Sequence, residues 1–380
     1  MPLKESTIVG FREEIARLIM KGYSVTDVGE RLGVSRPTVR LWRDRFLAEG
    51  MDGLEDRSHA PENCPHRTSE EIEKLIVEEQ GKWRWGSKKI RQRLIDQHPE
   101  LELPSRATFD AIFARHGLTV RRRRLRAAGQ TPFARRYDAK EPGDLTTIDH
   151  KGQFKMGNGQ YCYPLTMVDQ VSRYLLACEG LRSTSLELAW PVIERVFLEH
   201  GCPRAMQSDN GPPFGAPGRG RISTLSVRLM KQGIQPIFIH PGCPQENGAH
   251  ERMHRTLKAD TTRPPAYDFK PQQKKFDLFR HDFNFERPHE GIEMQRPAAV
   301  YQPAGRPYSR RIKPAEYDSG FEVRLVSPAG TITWHNRHIF VGAALGRERI
   351  ALEPTAGRKQ TLHFYGFTIG KLNEETGTID

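Results

Sequence analysis

Between residues 7 and 48, apolar positions recur at helical spacing. Phe11, Ile15, Leu18 and Ile19 make one stripe, as a period near 3.6 requires. A second stripe, Val25, Val28 and Leu32, begins just after Ser24 and is broken by Gly33; a serine there can accept the free N–H groups of a helix start. Ser35 opens a third helix, with Pro37 in its first turn and Val39, Trp42 and Phe46 inward. Two helices joined by a tight glycine turn predict a helix-turn-helix, whose second helix enters a DNA major groove. The outward positions Arg36, Thr38, Arg40 and Arg43 suit phosphates and guanine edges.

After a polar, proline-bearing stretch over 51–68, a second helical unit follows. Glu71, Ile72, Leu75 and Ile76 head one helix, GKWRWGSKKIRQRL supplies another, and Ser105 caps ATFDAIFARHG. Trp83 and Trp85 read as core packing within it. From 144 the texture becomes α/β. LTTIDH, YCYPLTMVDQ and SRYLLACEGL are three strand candidates, followed by the amphipathic helix STSLELAWPVIERVFLEHG, the strand PRAMQS, the helix RISTLSVRLMKQG and the strand IQPIFIH. NGAHERMHRTLKAD and QQKKFDLFRHDFNFE are helical. Short strands with recurring turns occupy the last stretch and predict a small β-barrel. The expected organisation is a helix-turn-helix domain over 1–50, a linker over 51–68, a second helix-turn-helix-like domain over 69–117, an Arg-rich linker over 118–143, an α/β core of mixed sheet and flanking helices over 144–305, and the small barrel over 316–380.

Charge sharpens this picture. Lys and Arg number 59 against 47 Asp and Glu, a formal +12 over 380 residues, which points to a polyanionic partner. From 115 to 136 there are eight arginines and no acid, so Arg121, Arg122, Arg123 and Arg124 are expected to track a phosphate backbone with strongly salt-dependent affinity. No run approaches the ~18 apolar residues of a membrane span, and the first twenty residues carry Glu and Arg where a signal peptide needs an apolar stretch. The five cysteines are scattered and include no CxxC, which fits reduced thiols in a cytosol.

Three acids stand out by context. Asp149 interrupts a predicted strand, where aspartate is depleted. Asp209 ends a strand at the turn SDNGPPFG, and Glu246 opens a helix in HPGCPQENGAHER. Strand ends and helix starts are where α/β ligand sites assemble. Carboxylates on a basic chain suit divalent cations, and two such ions about 3.5–4 Å apart serve in-line phosphoryl displacement. His150 alternates to the sheet face opposite Asp149 and reads as structural; Asp169, in MVDQVSRY, suits a hairpin turn.

TTIDHKG around Asp149, QSDNGPPF around Asp209 and PQENGAHERMHRTLK around Glu246, with FNFERPHEGIEMQRPAAVY downstream, resemble the DDE transposases and integrases of bacterial insertion sequences and retroviruses. The likeness runs from Asp144 to Tyr301, and the gap between Asp209 and Glu246 is one residue longer than that family's usual spacing. The resemblance implies a ribonuclease H-like core in which Asp149, Asp209 and Glu246 bind two Mg2+ or Mn2+ ions. It implies cleavage at transposon ends by activated water, then attack of the freed 3′-hydroxyl on target DNA, with no covalent protein–DNA intermediate. Lys258 resembles the basic residue such proteins direct at DNA ends. The implied partners are double-stranded DNA, both terminal inverted repeats and target, and further copies of the chain; the implied setting is the bacterial cytoplasm and nucleoid, with no membrane. The histidines form no constellation with a CxxC pair, so the zinc-binding N-terminal domain of retroviral integrases is not expected. A catalytically silent DNA-binding regulator and a structure-reading nuclease are the competing readings.

Overall fold

The computed structural model describes residues 5–57, 68–119, 137–215, 222–240 and 243–379. Arg121, Arg122, Arg123, Arg124, Cys64 and most of the 51–68 linker lie outside the described residues. The chain forms two compact units, Met1–Ser69 and Glu70–Asp380.

The first unit holds α1 (Glu5–Met20), α2 (Val25–Leu32) and α3 (Arg36–Glu49). Ser24 and Asp27 make a capping box at the start of α2; Gly33 ends that helix in the left-handed region at φ 66°, and Ser35 caps α3. Ile15, Leu18, Val28 and Val39 form the centre. The α1 stripe is rotated from its expected position. Phe11 is 36% exposed, whereas Arg12 is buried, donating to the Leu54 carbonyl at 2.8 Å and lying over the Trp42 ring at 4.0 Å. A long guanidinium satisfied by a carbonyl and an aromatic face can take an inward position that periodicity assigns to an apolar neighbour.

The second unit opens with α4 (Glu70–Trp83), α5 (Ser87–Gln97) and α6 (Arg106–Arg115). Trp83 and Trp85 stack tilted at 4.7 Å, and Trp85 is buried with Ile76, Ile90, Leu94, Phe109 and Ile112. Then come β1 (Leu145–His150), β2 (Phe154–Lys155), β3 (Tyr161–Asp169), β4 (Leu175–Leu181), α7 (Leu186–His200), β5 (Ala205–Ser208), α8 (Thr224–Lys231) and β6 (Gln235–Phe238). A 3-10 turn at Pro244–Asn247 leads into α9 (Gly248–Thr261), followed by α10 (Phe269–His281) and the short α11 (Pro297–Val300). Strands run in the order β4-β3-β1-β5-β6, antiparallel across β4, β3 and β1 and parallel across β1, β5 and β6, with β2 pairing the start of β3. The expected mixed sheet with flanking helices is therefore present. One face is sealed by α7, with Phe197, Ile193 and Val196 against Ile148, Leu165 and Met167; the other by α9 and α10, with Met253, Leu257 and Phe276 against Cys162, Leu175 and Cys178.

The carboxy-terminal strands are β7 (Glu322–Leu325), β8 (Thr331–Trp334), β9 (Arg337–Phe340), β10 (Arg349–Thr355), β11 (Lys359–Phe364), β12 (Phe367–Asn373) and β13 (Thr378–Ile379). A small barrel is expected here, but the hydrogen bonds form an open antiparallel sheet, β13-β12-β11-β10-β7, beside a separate β8–β9 hairpin. The β8–β9 turn has His335 and Asn336 at positive φ, and the β11–β12 turn Tyr365 and Gly366, as tight hairpins require; β7 bypasses the β8–β9 hairpin to pair with β10, so β13 and β7 are the ends of the sheet. No helix among the described residues is long and apolar enough to cross a membrane.

Phe197 is 1% exposed and backs the strand that carries Asp149. Phe197→Ala is expected to cost about 3–5 kcal/mol in urea unfolding followed by circular dichroism; a loss below about 1 kcal/mol would show that this layer does not hold the sheet.

Candidate active site

Asp149 is the fifth residue of β1, and Asp209 follows directly on β5. The strands are parallel neighbours with Thr147 opposite Gln207. Two residues further along each, the same register sets Asp149 against Asp209 on one edge of the sheet. Burial, and then the charge of Asp209, push the Asp149 carboxyl up to about 7; burial raises Asp209 as well. Gly211 donates its backbone N–H to the Asp209 carboxylate at 3.2 Å, and Asn210 ties the same turn to the Ile239 carbonyl at 2.9 Å.

Glu246 sits in the 3-10 turn ahead of α9 rather than in the helix itself. Its backbone carbonyl accepts from Gln207 at 3.3 Å, so the turn lies beside the end of β5. Its carboxylate, however, is held by His240, through the backbone N–H at 3.0 Å and ring Nδ1 at 2.5 Å. The structure thus pairs Asp149 with Asp209 and keeps the Glu246 side chain on a different partner. Gly248 is the first residue of α9, where the penalty for a helix-interior glycine does not apply.

The group of potential ligand side chains whose atoms all come within 4.8 Å of one another, among the described residues, is Asp149, His250 and His254. His254 is buried on α9 with His250, Met253 and Leu257. Residues four apart share a helix face, so the HxxxH spacing was legible; which residues it would meet was not. His250 bonds Thr147 Oγ1 at 2.8 Å and Thr166 Oγ1 at 2.7 Å, and His254 Nε2 bonds the same Thr166 oxygen at 2.7 Å. Burial pulls His250 down to about 3 and His254 to about 2, so both rings are neutral. His150 stacks on Phe214 at 5.3 Å and is likewise drawn down to about 4 by burial. Asp169 is structural: fully buried, it accepts from Gly143 N and Ser172 N at 2.8 Å and from Ser172 Oγ at 2.5 Å, closing the β3–β4 turn. Asn247 is buried at the helix start.

On α3, Arg36 and Arg40 are exposed. Thr38 shares its hydroxyl with the Ser35 cap at 2.7 Å, and Arg43 bonds Asp44 at 2.7 Å. Lys258 is exposed in the last turn of α9.

Comparison with known proteins matches residues 12–55 and 38–113 to homeodomain-like domains and residues 232–297 to an integrase core domain. The Pol polyprotein of feline endogenous virus ECE1 is 31% identical over 137 residues, and the Gag-Pol polyprotein of baboon endogenous virus 30% over 136. Each alignment covers 36% of this chain and only 12% and 8% of the respective polyprotein. Among solved structures, a simian T-cell lymphotropic virus intasome is 13% identical, with a TM-score of 0.38, 76% of this chain and 91% of that one covered. The BIV integrase catalytic core is 23% identical, with a TM-score of 0.31 and coverage of 42% and 93%. The chain thus matches homeodomain-like domains within residues 12–113 ahead of an integrase core domain over 232–297.

Because the folded protein holds the Asp149 proton up to about pH 7, while an unfolded aspartate releases it near ~4, ionised Asp149 opposes folding. That opposition is absent below the unfolded value, grows as pH rises, and is complete above about 7. In EDTA, Asp149→Asn is therefore expected to raise the melting temperature by several degrees at pH 8, with the gain shrinking steadily towards pH 5. A gain independent of pH would contradict the assignment of this burden to Asp149.

Proposed function

We propose that this chain is a DNA transposase, cutting at the ends of a mobile element and joining them to target DNA by metal-dependent phosphoryl transfer. One observation carries the reading: two carboxylates, Asp149 and Asp209, half-buried side by side towards the ends of adjacent parallel strands. Among the described residues neither forms an ion pair with a lysine or arginine; around Asp149 stand the neutral His254 at 3.7 Å, the His150 backbone N–H, the charge of Lys151 and the further negative charge of Glu251. Such a hard, anionic donor set fits divalent cations. In this reading Asp149 and Asp209 hold them, and Glu246 completes the set by exchanging His240 for the cation. The chemistry supplied by two bound Mg2+ or Mn2+ ions is activation of the attacking oxygen and stabilisation of the leaving one.

The remaining roles follow from charge and position. Arg36 and Arg40 on α3, with Thr38 and Arg43, contact the terminal repeat, the side chains reaching base edges supplying its specificity. Arg121, Arg122, Arg123 and Arg124 follow the phosphate backbone, and Lys258 meets the DNA end. Domains over 1–50 and 69–117 bind DNA, the core over 144–305 performs transfer, and 316–380 is accessory; copies of the chain assemble on paired ends. The alternative, a catalytically silent DNA-binding regulator, is favoured by the commitment of the Glu246 carboxylate to His240.

With the element's terminal DNA and Mg2+ or Mn2+, wild type is expected to cut and join strands. Asp149→Asn, Asp209→Asn and Glu246→Gln are each expected to bind that DNA as well as wild type and to lose cutting by about a thousandfold or more, roughly what one electrostatic stabiliser of a transition state is worth. If wild type binds but neither cuts nor joins with either cation, the regulator reading takes its place.

A further inference from the structure

The stretch FNFERPHEGI, which follows α10, takes no part in the carboxylate scheme above. It is bound into the core at three points. Phe283 is buried with Met253, Leu257 and Phe276. The Asn284 side chain accepts the Leu175 N–H at 2.8 Å and donates to the Leu175 carbonyl at 3.0 Å, at the start of β4. Arg287 donates to Thr256 Oγ1 at 3.4 Å and lies 4.0 Å from Asp260, both on α9.

The same few residues reach the α4–α6 module. The Glu286 carboxylate accepts from Arg93 of α5, whose Nε donates to Glu79 of α4 at 2.9 Å and whose guanidinium covers the Trp83 ring at 4.4 Å. Glu290 pairs with Lys88 at 3.3 Å, and Arg287 lies 5.6 Å from the centre of the buried Trp85 ring. Exposed ion pairs alone would hold two modules weakly. Arg93, however, is 6% exposed, so parting the two would strip a buried cation of one of its carboxylates. One neighbour opposes the contact: Lys89 stands near Arg287. Burial and that charge, partly offset by Glu290, draw its ammonium down to about 7, so near neutral pH it can shed its proton rather than push the seam apart.

Three separate contacts from one short segment restrain rotation as well as distance, and α4–α6 falls in the same compact unit as the core. Through Arg287 the module is tied to α9, and α9 is tied through His250 and His254 to Thr147 on β1 and Thr166 on β3. Each base pair advances a DNA duplex by ~3.4 Å and turns it by roughly 35°. A misplacement of about 1 Å at a reacting centre can cost about a hundredfold in rate. A rigidly held module therefore dictates which phosphate meets the carboxylates.

We propose that Glu286, Arg287 and Glu290 clasp the α4–α6 module to the core as one rigid body, and that this module thereby sets the position of the cut, counted from the base pairs it grips. The inference rests on the transposase reading above and adds to it the element that fixes the register.

Two measurements on the full-length chain test it. Without DNA, methyl relaxation of Ile76, Ile90 and Ile112 in the module and of Ile148, Ile193 and Ile234 in the core is expected to give one rotational correlation time. Glu286→Gln with Glu290→Gln, checked for an unchanged circular dichroism spectrum, should shorten that time for the module alone. Arg287→Lys, which keeps the charge and loses the flat guanidinium, should act the same way more weakly. A shorter time for the module in wild type would overturn the clasp; an unchanged time in the double variant would overturn the part given to Glu286 and Glu290. With the terminal DNA, base pairs whose protection is lost in Arg106→Ala, Arg115→Ala, at the two exposed ends of α6, mark where the module grips; if none is lost, the register falls. One base pair inserted between that site and the cut is expected to shift the cut by one base pair, keeping its distance from the module, whereas the Glu286→Gln, Glu290→Gln chain should spread its cuts over several positions. A cut that stays at the original sequence would overturn the register and leave the clasp as a structural contact. Wild type that never cuts would overturn the transposase reading and the register with it, and the relaxation result then decides the clasp alone.

Discussion

Parallel pairing of β1 with β5 is the constraint on which the site depends. Strands running the same way leave the sheet at the same edge, and the register of Thr147 with Gln207, carried two residues on, brings two carboxylates together. Burial raises the Asp149 carboxyl, and the like charge of Asp209 held beside it in the same poorly solvated place raises it further. Only a stiff support can hold such a pair. Ile148, immediately before Asp149, is fully buried between Leu165, Met167 and the α7 side chains, so β1 cannot tilt to relieve the repulsion without opening a close-packed layer.

The second support is polar. Over most of its length α9 packs through Met253 and Leu257, but opposite β1 and β3 it presents His250 and His254 to Thr147 and Thr166. Directional bonds fix the rotation and height of a helix more tightly than apolar contact, because a donor and acceptor that slip out of line are left unsatisfied in the interior. The helix that begins just after Glu246 is thus keyed to the strand that carries Asp149.

Both ends of the second unit dock on this core by the same mixture. Arg93 on α5 bridges Glu79 of its own module and Glu286 beyond α10, and Arg287 lies over the Trp85 ring. Val227 and Met230 of α8 join the apolar core of the carboxy-terminal sheet, with Lys231 paired to Glu348. A charge as buried as Arg93 holds its geometry because moving away from both carboxylates would leave it unpaired in the interior.

Local chemistry was legible along the chain. Ser24, Gly33, Ser35 and Ser105 set helix boundaries where the sequence places them, since capping depends on a few consecutive residues. The order of strands and helices through the core was readable for the same reason, and so were Asp149 as an acid within a strand and Asp209 as one at a strand end. What the sequence could not reveal depends on residues far apart. Arg12 displaced Phe11 from the interior because Leu54 and Trp42 were there to receive it. The last strands form a five-stranded sheet beside a hairpin because β7 bypasses β8 and β9 to pair with β10. Sequence alone determined that acids, basic helices and an α/β core share one chain. Tertiary structure decided that the Glu246 carboxylate faces His240 and that His254 faces Asp149, because hydrogen-bond partners across a fold are chosen by distance and direction, which no spacing along the chain encodes.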